Sequence, residues 1–254
     1  MAKSYYNNSR AIFLTMEGIM SYQSMVDIRK EQCATLRRKK YPYSMMARFF
    51  IWLMDSIAGK RTSLSKLKLL ELLASIPYRE WEKRLYANMT KNYSDHFFVR
   101  KCNRMIQWCR QSQDNEFWHL QVLEEKMKED KEKDAWYLSY WVRVWMVCCY
   151  VAFSKYTSRI NLPWALFFNA QFEDHAEHCY AKLIEEHPSW DYQTVHSAVV
   201  NESGPYESWG DVFRRICLDE RDHRNIGFYF GGRIEYVEEY TGMPDLNKYS
   251  KSPG

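Results

Sequence analysis

A glutamate and a histidine three residues apart occur twice in this chain and nowhere else in it: Glu116 with His119, and Glu220 with His223. On an α-helix, positions i and i+3 share a face, so each pair aims one carboxylate and one imidazole the same way. One such pair alone is most simply a surface salt bridge or a helix cap. Two of them constrain the fold much harder, because two Glu-x-x-His helices completed by two further lone glutamates make the carboxylate ligand set of a helical metal-binding bundle.

Two lone glutamates stand in the right places. Glu71 lies within Lys-Leu-Lys-Leu-Leu-Glu-Leu-Leu-Ala-Ser-Ile-Pro, and Glu173 within Leu-Phe-Phe-Asn-Ala-Gln-Phe-Glu-Asp-His-Ala-Glu-His-Cys-Tyr. A carboxylate inside an apolar run is costly to bury without a cation or a metal to face. The order is Glu, Glu-x-x-His, Glu, Glu-x-x-His, and each lone glutamate precedes the next pair by 45 or 47 residues. That near-equal spacing predicts two similar helical hairpins closing around one site. The fold class that follows is all-α: a ferritin-like four-helix di-iron bundle with two additional amphiphilic, membrane-associated helices.

The remaining composition agrees. Nine glycines and seven prolines are few for 254 residues, which favours helices over a turn-rich β fold. Seven scattered cysteines without a Cys-x-x-Cys point to a reducing compartment and away from a disulfide framework or a zinc site. A net charge of +4 suits an anionic lipid surface and does not argue for nucleic acid. The aromatic fraction of 17% is high, and Tyr and Trp favour the headgroup level of a bilayer.

Three regions follow in chain order: an N-terminal arm over 1–40, a metal-binding domain over 41–232, and a polar tail over 233–254. The apolar run 42–57, bracketed by basic clusters at 37–40 and at Lys60–Arg61, is too short for a span and carries Arg48 and Asp55. It reads as a helix lying in one leaflet. The aromatic run 135–153, interrupted by Arg143, reads as a second one. Ser63 or Ser65 caps the Glu71 helix, and Pro77 predicts a kink or break in it. A polar connector at 91–95 leads into the Glu116 helix. The Glu173 helix covers about 162–187, a loop-rich connection 189–209, and the Glu220 helix about 209–227.

Four of these stretches together resemble a known family. Leu70-Glu71-Leu72-Leu73-Ala74-Ser75-Ile76-Pro77 is similar to the Leu-Glu-Thr-x-Ala-x-Val-Pro of the alternative oxidases, and Asn115-Glu116-Phe117-Trp118-His119-Leu120 to their Asn-Glu-x-x-His-Leu. Glu173-Asp174-His175-Ala176-Glu177-His178-Cys179-Tyr180 resembles the Glu-Ser-His-Ala-x-x-x-Tyr of the plastid terminal oxidase branch, and Asp219-Glu220-Arg221-Asp222-His223 resembles Asp-Glu-Ala-x-His. The likeness covers roughly 42–230.

It implies a monotopic, dimeric di-iron enzyme that oxidises ubiquinol or plastoquinol and reduces O2 to water without pumping protons. The implied place is the mitochondrial inner membrane, or else a thylakoid or bacterial membrane. By the same likeness Glu71, Glu116, Glu173 and Glu220 hold two iron ions, with His119 and His223 as ligands or close partners. Tyr180 matches the family's tyrosine near the metals, and Asn115 and Asp219 its hydrogen-bonding supports, with His175 a further candidate. Glu177 reads as a helix-surface or hydrogen-bonding residue, and His178 as structural. Lys66, Leu70, Ala176 and Cys179 fall at the quinol pocket. Lys66 stands where the family has arginine and offers a point charge in place of a planar fork; Cys179 stands where it has threonine. The quinol's entrance is expected along the Leu64, Leu67, Leu70 face. Two other functions fit the same residues: a structural subunit of a larger respiratory complex, and another di-iron bundle such as an iron oxidase or quinone-ring hydroxylase.

Overall fold

The structure, a computed structural model, describes residues 27–204 and 206–246. The rest of the expected N-terminal arm, the end of the tail and Pro205 lie outside them. Among the described residues the chain is all-helical, with eight α-helices and no strand. They are α1 (Ile28–Arg37), α2 (Met45–Ala58), α3 (Leu64–Lys91), α4 (His96–Glu129), α5 (Tyr140–Ile160), α6 (Leu162–Glu186), the single turn α7 (Ala198–Asn201) and α8 (Trp209–Phe230).

Short polar side chains start these helices. Ser63 accepts a hydrogen bond from the Lys66 amide, Asp95 from Phe98, Asn161 from Trp164 and Ser208 from Asp211, each satisfying one amide of a first turn. The connector between α3 and α4 is only a few residues, so these two run antiparallel along one another, and α6 packs along α8 in the same way. One core cluster gathers Leu64, Leu67, Val122, Tyr180 and Phe213; the other gathers Tyr78, Trp81, Met105, Trp108 and Ile226. The four glutamates lie between them.

Two expectations change. Pro77 neither breaks nor ends its helix: α3 runs through it for 28 residues, and Pro77 is itself buried. An interior proline costs about 3 kcal/mol, and packing along nearly the whole of α4 outweighs that. The segment expected as an arm contains α1, which lies on α6 and α8. Leu36 packs on the core, and ion pairs and hydrogen bonds hold the rest of the inner face of α1. Arg38 meets Asp174 at 2.6 Å and Glu177 at 2.8 Å, and Thr35 donates to Glu177 at 2.7 Å. Arg221 and Arg224 reach the same Glu177 carboxylate, which is fully buried and not on the helix surface.

The two aromatic-rich helices pack on α3 and α6 and turn large apolar side chains outward. Phe49, Trp52 and Met45 of α2 are exposed, as are Trp141, Trp145 and Tyr156 of α5. The second run does not begin as a regular helix: a 3-10 turn over Trp136–Leu138 precedes Ser139, and α5 then extends to Ile160. Among the described residues no helix is long and apolar enough to cross a membrane.

Candidate metal centre

All six predicted ligand residues are buried and converge. Glu71, Glu116, His119 and Glu220 form one group whose ligand atoms all lie within 4.8 Å of one another, and Glu116, Glu173, Glu220 and His223 form a second. Glu116 and Glu220, one from each Glu-x-x-His pair, belong to both groups. The two groups overlap at these two carboxylates, and the buried clusters could hold a metal ion.

Hydrogen bonding tests whether the residues fit such an ion. Buried carboxylate oxygens almost always have partners, yet both oxygens of Glu116, both of Glu220 and Oε2 of Glu173 have none. His223 Nδ1 approaches Glu116 Oε1 at 2.8 Å but off the hydrogen-bonding direction, so both atoms remain without a partner. The two outer glutamates are held from behind. Tyr180 donates to Glu71 Oε1, while Tyr78 and Asn169 each donate to Glu173 Oε1 at 2.6 Å. One oxygen of each outer carboxylate is thus fixed by a tyrosine; the other oxygen of Glu71 lies 3.3 Å from His119 Nδ1, and that of Glu173 has no partner. Hard anionic oxygen donors in this number suit iron or manganese rather than a thiophilic metal.

Electrostatics say the same. Four carboxylates packed together without water cannot all stay ionised unless cations offset them. In the bare protein, burial and then the neighbouring Glu71 charge push Glu116 well above the usual carboxylate range; burial and then Glu116 do so for Glu220. Burial also raises Glu173. Glu71 goes the other way: burial opposes its charge, but His119 outweighs burial and lowers it. Burial likewise opposes a charged His119, and Glu71 overcomes it. For His223 burial is the larger effect and lowers it, with the Glu173 charge opposing.

The neighbouring candidates divide. Asp219 lies 3.4 Å from His119 Nε2 and accepts from Arg215 Nε at 3.0 Å. Against the effect of burial, Arg215 holds it below the usual range. Asn115 is half-buried and makes no hydrogen bond to the ligand carboxylates. His175 points away, with Nε2 3.5 Å from Cys179 Sγ and Nδ1 without a partner.

An apolar cavity of about 270 Å³ lies between α2, α5 and the bundle. Phe50, Met54, Leu70, Trp145 and Tyr150 line it, and Glu173 is the charged group on its wall. Of the residues expected at a quinol pocket, Leu70 lines this cavity. Ala176 packs beside Leu70 and Met54. Lys66 is buried and engaged, with Nζ 2.5 Å from Asp55 and 2.8 Å from the Gly59 carbonyl. Leu64 and Leu67 sit inside the core beside Tyr180 and not at a cavity mouth.

Tyr78 and Asn169 were not among the candidates. A signal existed for Tyr78: it follows Glu71 by seven residues, as Tyr180 follows Glu173. No family model matches this chain, and no curated protein matches it.

Proposed function

We propose that this protein is a membrane-bound, non-haem di-iron quinol oxidase built on a ferritin-like bundle. The observation that carries the reading is the pair of overlapping ligand groups sharing Glu116 and Glu220, with partnerless buried oxygens turned inward. Glu71 and His119 would complete one iron position, Glu173 and His223 the other. Two irons there supply the redox capacity that joins two-electron quinol oxidation to four-electron reduction of O2, in the balance of two quinols and one O2 to two quinones and two waters.

The chain's own residues have the remaining work. The cavity between α2 and α5 accepts the quinol ring and excludes water, with Glu173, a residue that would hold iron, on its wall. Tyr180 stays protonated, because burial and then Glu71 push its phenol well above the ordinary value. Its hydroxyl is positioned to release a proton to Glu71 when an electron leaves the ring. Asp219 orients His119. The outward aromatic faces of α2 and α5 suit immersion in one leaflet, since exposed apolar patches of this kind mark a contact surface. The likeness in sequence extends the reading to a homodimer on the mitochondrial inner membrane.

Purified protein in lipid vesicles, given ubiquinol or plastoquinol, should consume oxygen in the presence of cyanide. Bound iron without oxygen uptake would favour a structural subunit of a respiratory complex. Hydroxylated quinone as product would favour a quinone-ring hydroxylase.

A further inference from the structure

The two helices that carry lone glutamates are built alike in one further respect. Tyr180 follows Glu173 on α6 and Tyr78 follows Glu71 on α3 at the same spacing of seven residues, close to two helical turns. Each tyrosine reaches across to the other helix's glutamate: Tyr180 donates to Glu71, and Tyr78 donates to Glu173 at 2.6 Å. Two fully buried phenols therefore flank the carboxylate cluster in crosswise exchange.

What stands behind the two rings differs. Tyr180 backs onto Phe213, with ring centroids 6.1 Å apart. A phenyl ring gives up an electron far less readily than a phenol or an indole, and it separates Tyr180 from the indoles behind it, Trp190 at 4.8 Å and Trp209 at 6.1 Å from Phe213. Tyr78 has Trp81 at 5.4 Å and Trp108 at 5.2 Å, and the two indoles stack on one another at 6.1 Å. A buried Trp N–H usually finds an acceptor, but neither Trp81 Nε1 nor Trp108 Nε1 has one. Ring contact, and not hydrogen bonding, is what these two positions satisfy.

We propose that Tyr78, Trp81 and Trp108 form a drain for oxidising equivalents, used when oxygen has reacted at the site and no quinol is present to supply electrons. The inference rests on the di-iron reading, and its oxidant is the oxygen-oxidised iron centre. Tyr78 gives one electron to that centre while its phenolic proton shifts along the hydrogen bond to Glu173 Oε1. Trp81 or Trp108 then gives one electron to the Tyr78 phenoxyl, and the proton returns from Glu173 to the Tyr78 oxygen. A thiol from solution gives one electron to the indole radical cation and its proton to water, two thiyl radicals so formed couple to a disulfide, and the chain is restored. An oxidised Tyr180 has a phenylalanine and no indole against its own ring, so a hole held there is passed on more slowly and remains available for quinol.

The test uses the full chain loaded with ferrous iron, exposed to O2 without quinol and frozen within milliseconds. Iron content and oxygen consumed are measured in the same sample. Electron paramagnetic resonance should detect an organic radical whose spectrum changes when tryptophan is supplied with a deuterated indole. That signal, normalised to bound iron, should be lost in Tyr78→Phe and retained in Tyr180→Phe. If Tyr78→Phe does not fold, the double variant Trp81→Phe with Trp108→Phe serves instead and must also lose it. Repeated aerobic cycles should leave oxidised Trp81 and Trp108 in the wild-type chain, read by peptide mass spectrometry. Iron bound and oxygen consumed with no indole signal, or a signal that survives in Tyr78→Phe, overturns the drain alone. A chain that binds no iron overturns the di-iron reading and the drain with it.

Discussion

Replacing Glu177 with Gln removes one negative charge from a fully buried carboxylate that three guanidinium groups share. Arg38, Arg221 and Arg224 hold its pKa at about 2 against the cost of burial, with Arg224 the largest of the three effects. The ordinary value is 4.5, so the folded state prefers the ionised form by about 3 kcal/mol at pH 7. Removing one partner from a buried ion pair costs about 3–5 kcal/mol by a separate route, and the two figures agree. The folded-state pKa is depressed, so the stabilisation is complete above pH 4.5 and is lost as pH falls towards 2. Urea unfolding at pH 7 should show Glu177→Gln less stable than wild type by about 3 kcal/mol. At pH 3 the gap should fall to roughly 1.5 kcal/mol, because the carboxyl of the unfolded wild-type chain is by then protonated while the folded one is still largely ionised. Equal stabilities at pH 7, or a gap that does not narrow at pH 3, would refute the assignment of Glu177 as the anion that fastens α1 to α6 and α8.

Four further outcomes are expected. Glu116→Ala or Glu220→Ala removes a carboxylate shared by both ligand groups and should abolish iron loading, read by elemental analysis; wild-type metal content would contradict the site. Tyr180→Phe should keep its iron and lose quinol-dependent oxygen uptake, whereas unchanged turnover would reduce Tyr180 to packing. Because burial raises Glu116 and Glu220 in the bare protein, metal binding must displace protons. Loading at pH 7 should therefore release protons, detected by calorimetry in buffers of different ionisation enthalpy, and affinity should fall as pH is lowered. Trp141→Asp with Trp145→Asp, both on the exposed face of α5, should weaken co-sedimentation with phospholipid vesicles; unchanged binding would remove α5 from the membrane-facing surface.

Much of this arrangement was legible from spacing alone. Repeated Glu-x-x-His pairs and two lone glutamates located four helices, since helical periodicity is a local property and buried carboxylates demand a shared explanation. The capping serine before the Glu71 helix marked that helix's start for the same local reason. The rest depends on contacts between distant segments. Nothing local to Ile28–Arg37 announces that Thr35 and Arg38 meet Glu177, because charged residues give no apolar stripe. The break that Pro77 allowed is absent for the converse reason: its local penalty is real, and long-range packing outweighs it. Tyr78 and Asn169 come into play only when α3 and α6 lie side by side. Lys66 could be named from its position before Glu71, but its partner Asp55 belongs to another helix.

Everything proposed about function turns on metal occupancy, and counting the metal tests it most directly. Protein expressed with iron, purified and stripped of loosely held metal by mild chelation should retain two irons per chain, and their Mössbauer spectrum should be that of an exchange-coupled pair. No retained iron, or a single magnetically isolated ion, would contradict a centre bridged by Glu116 and Glu220.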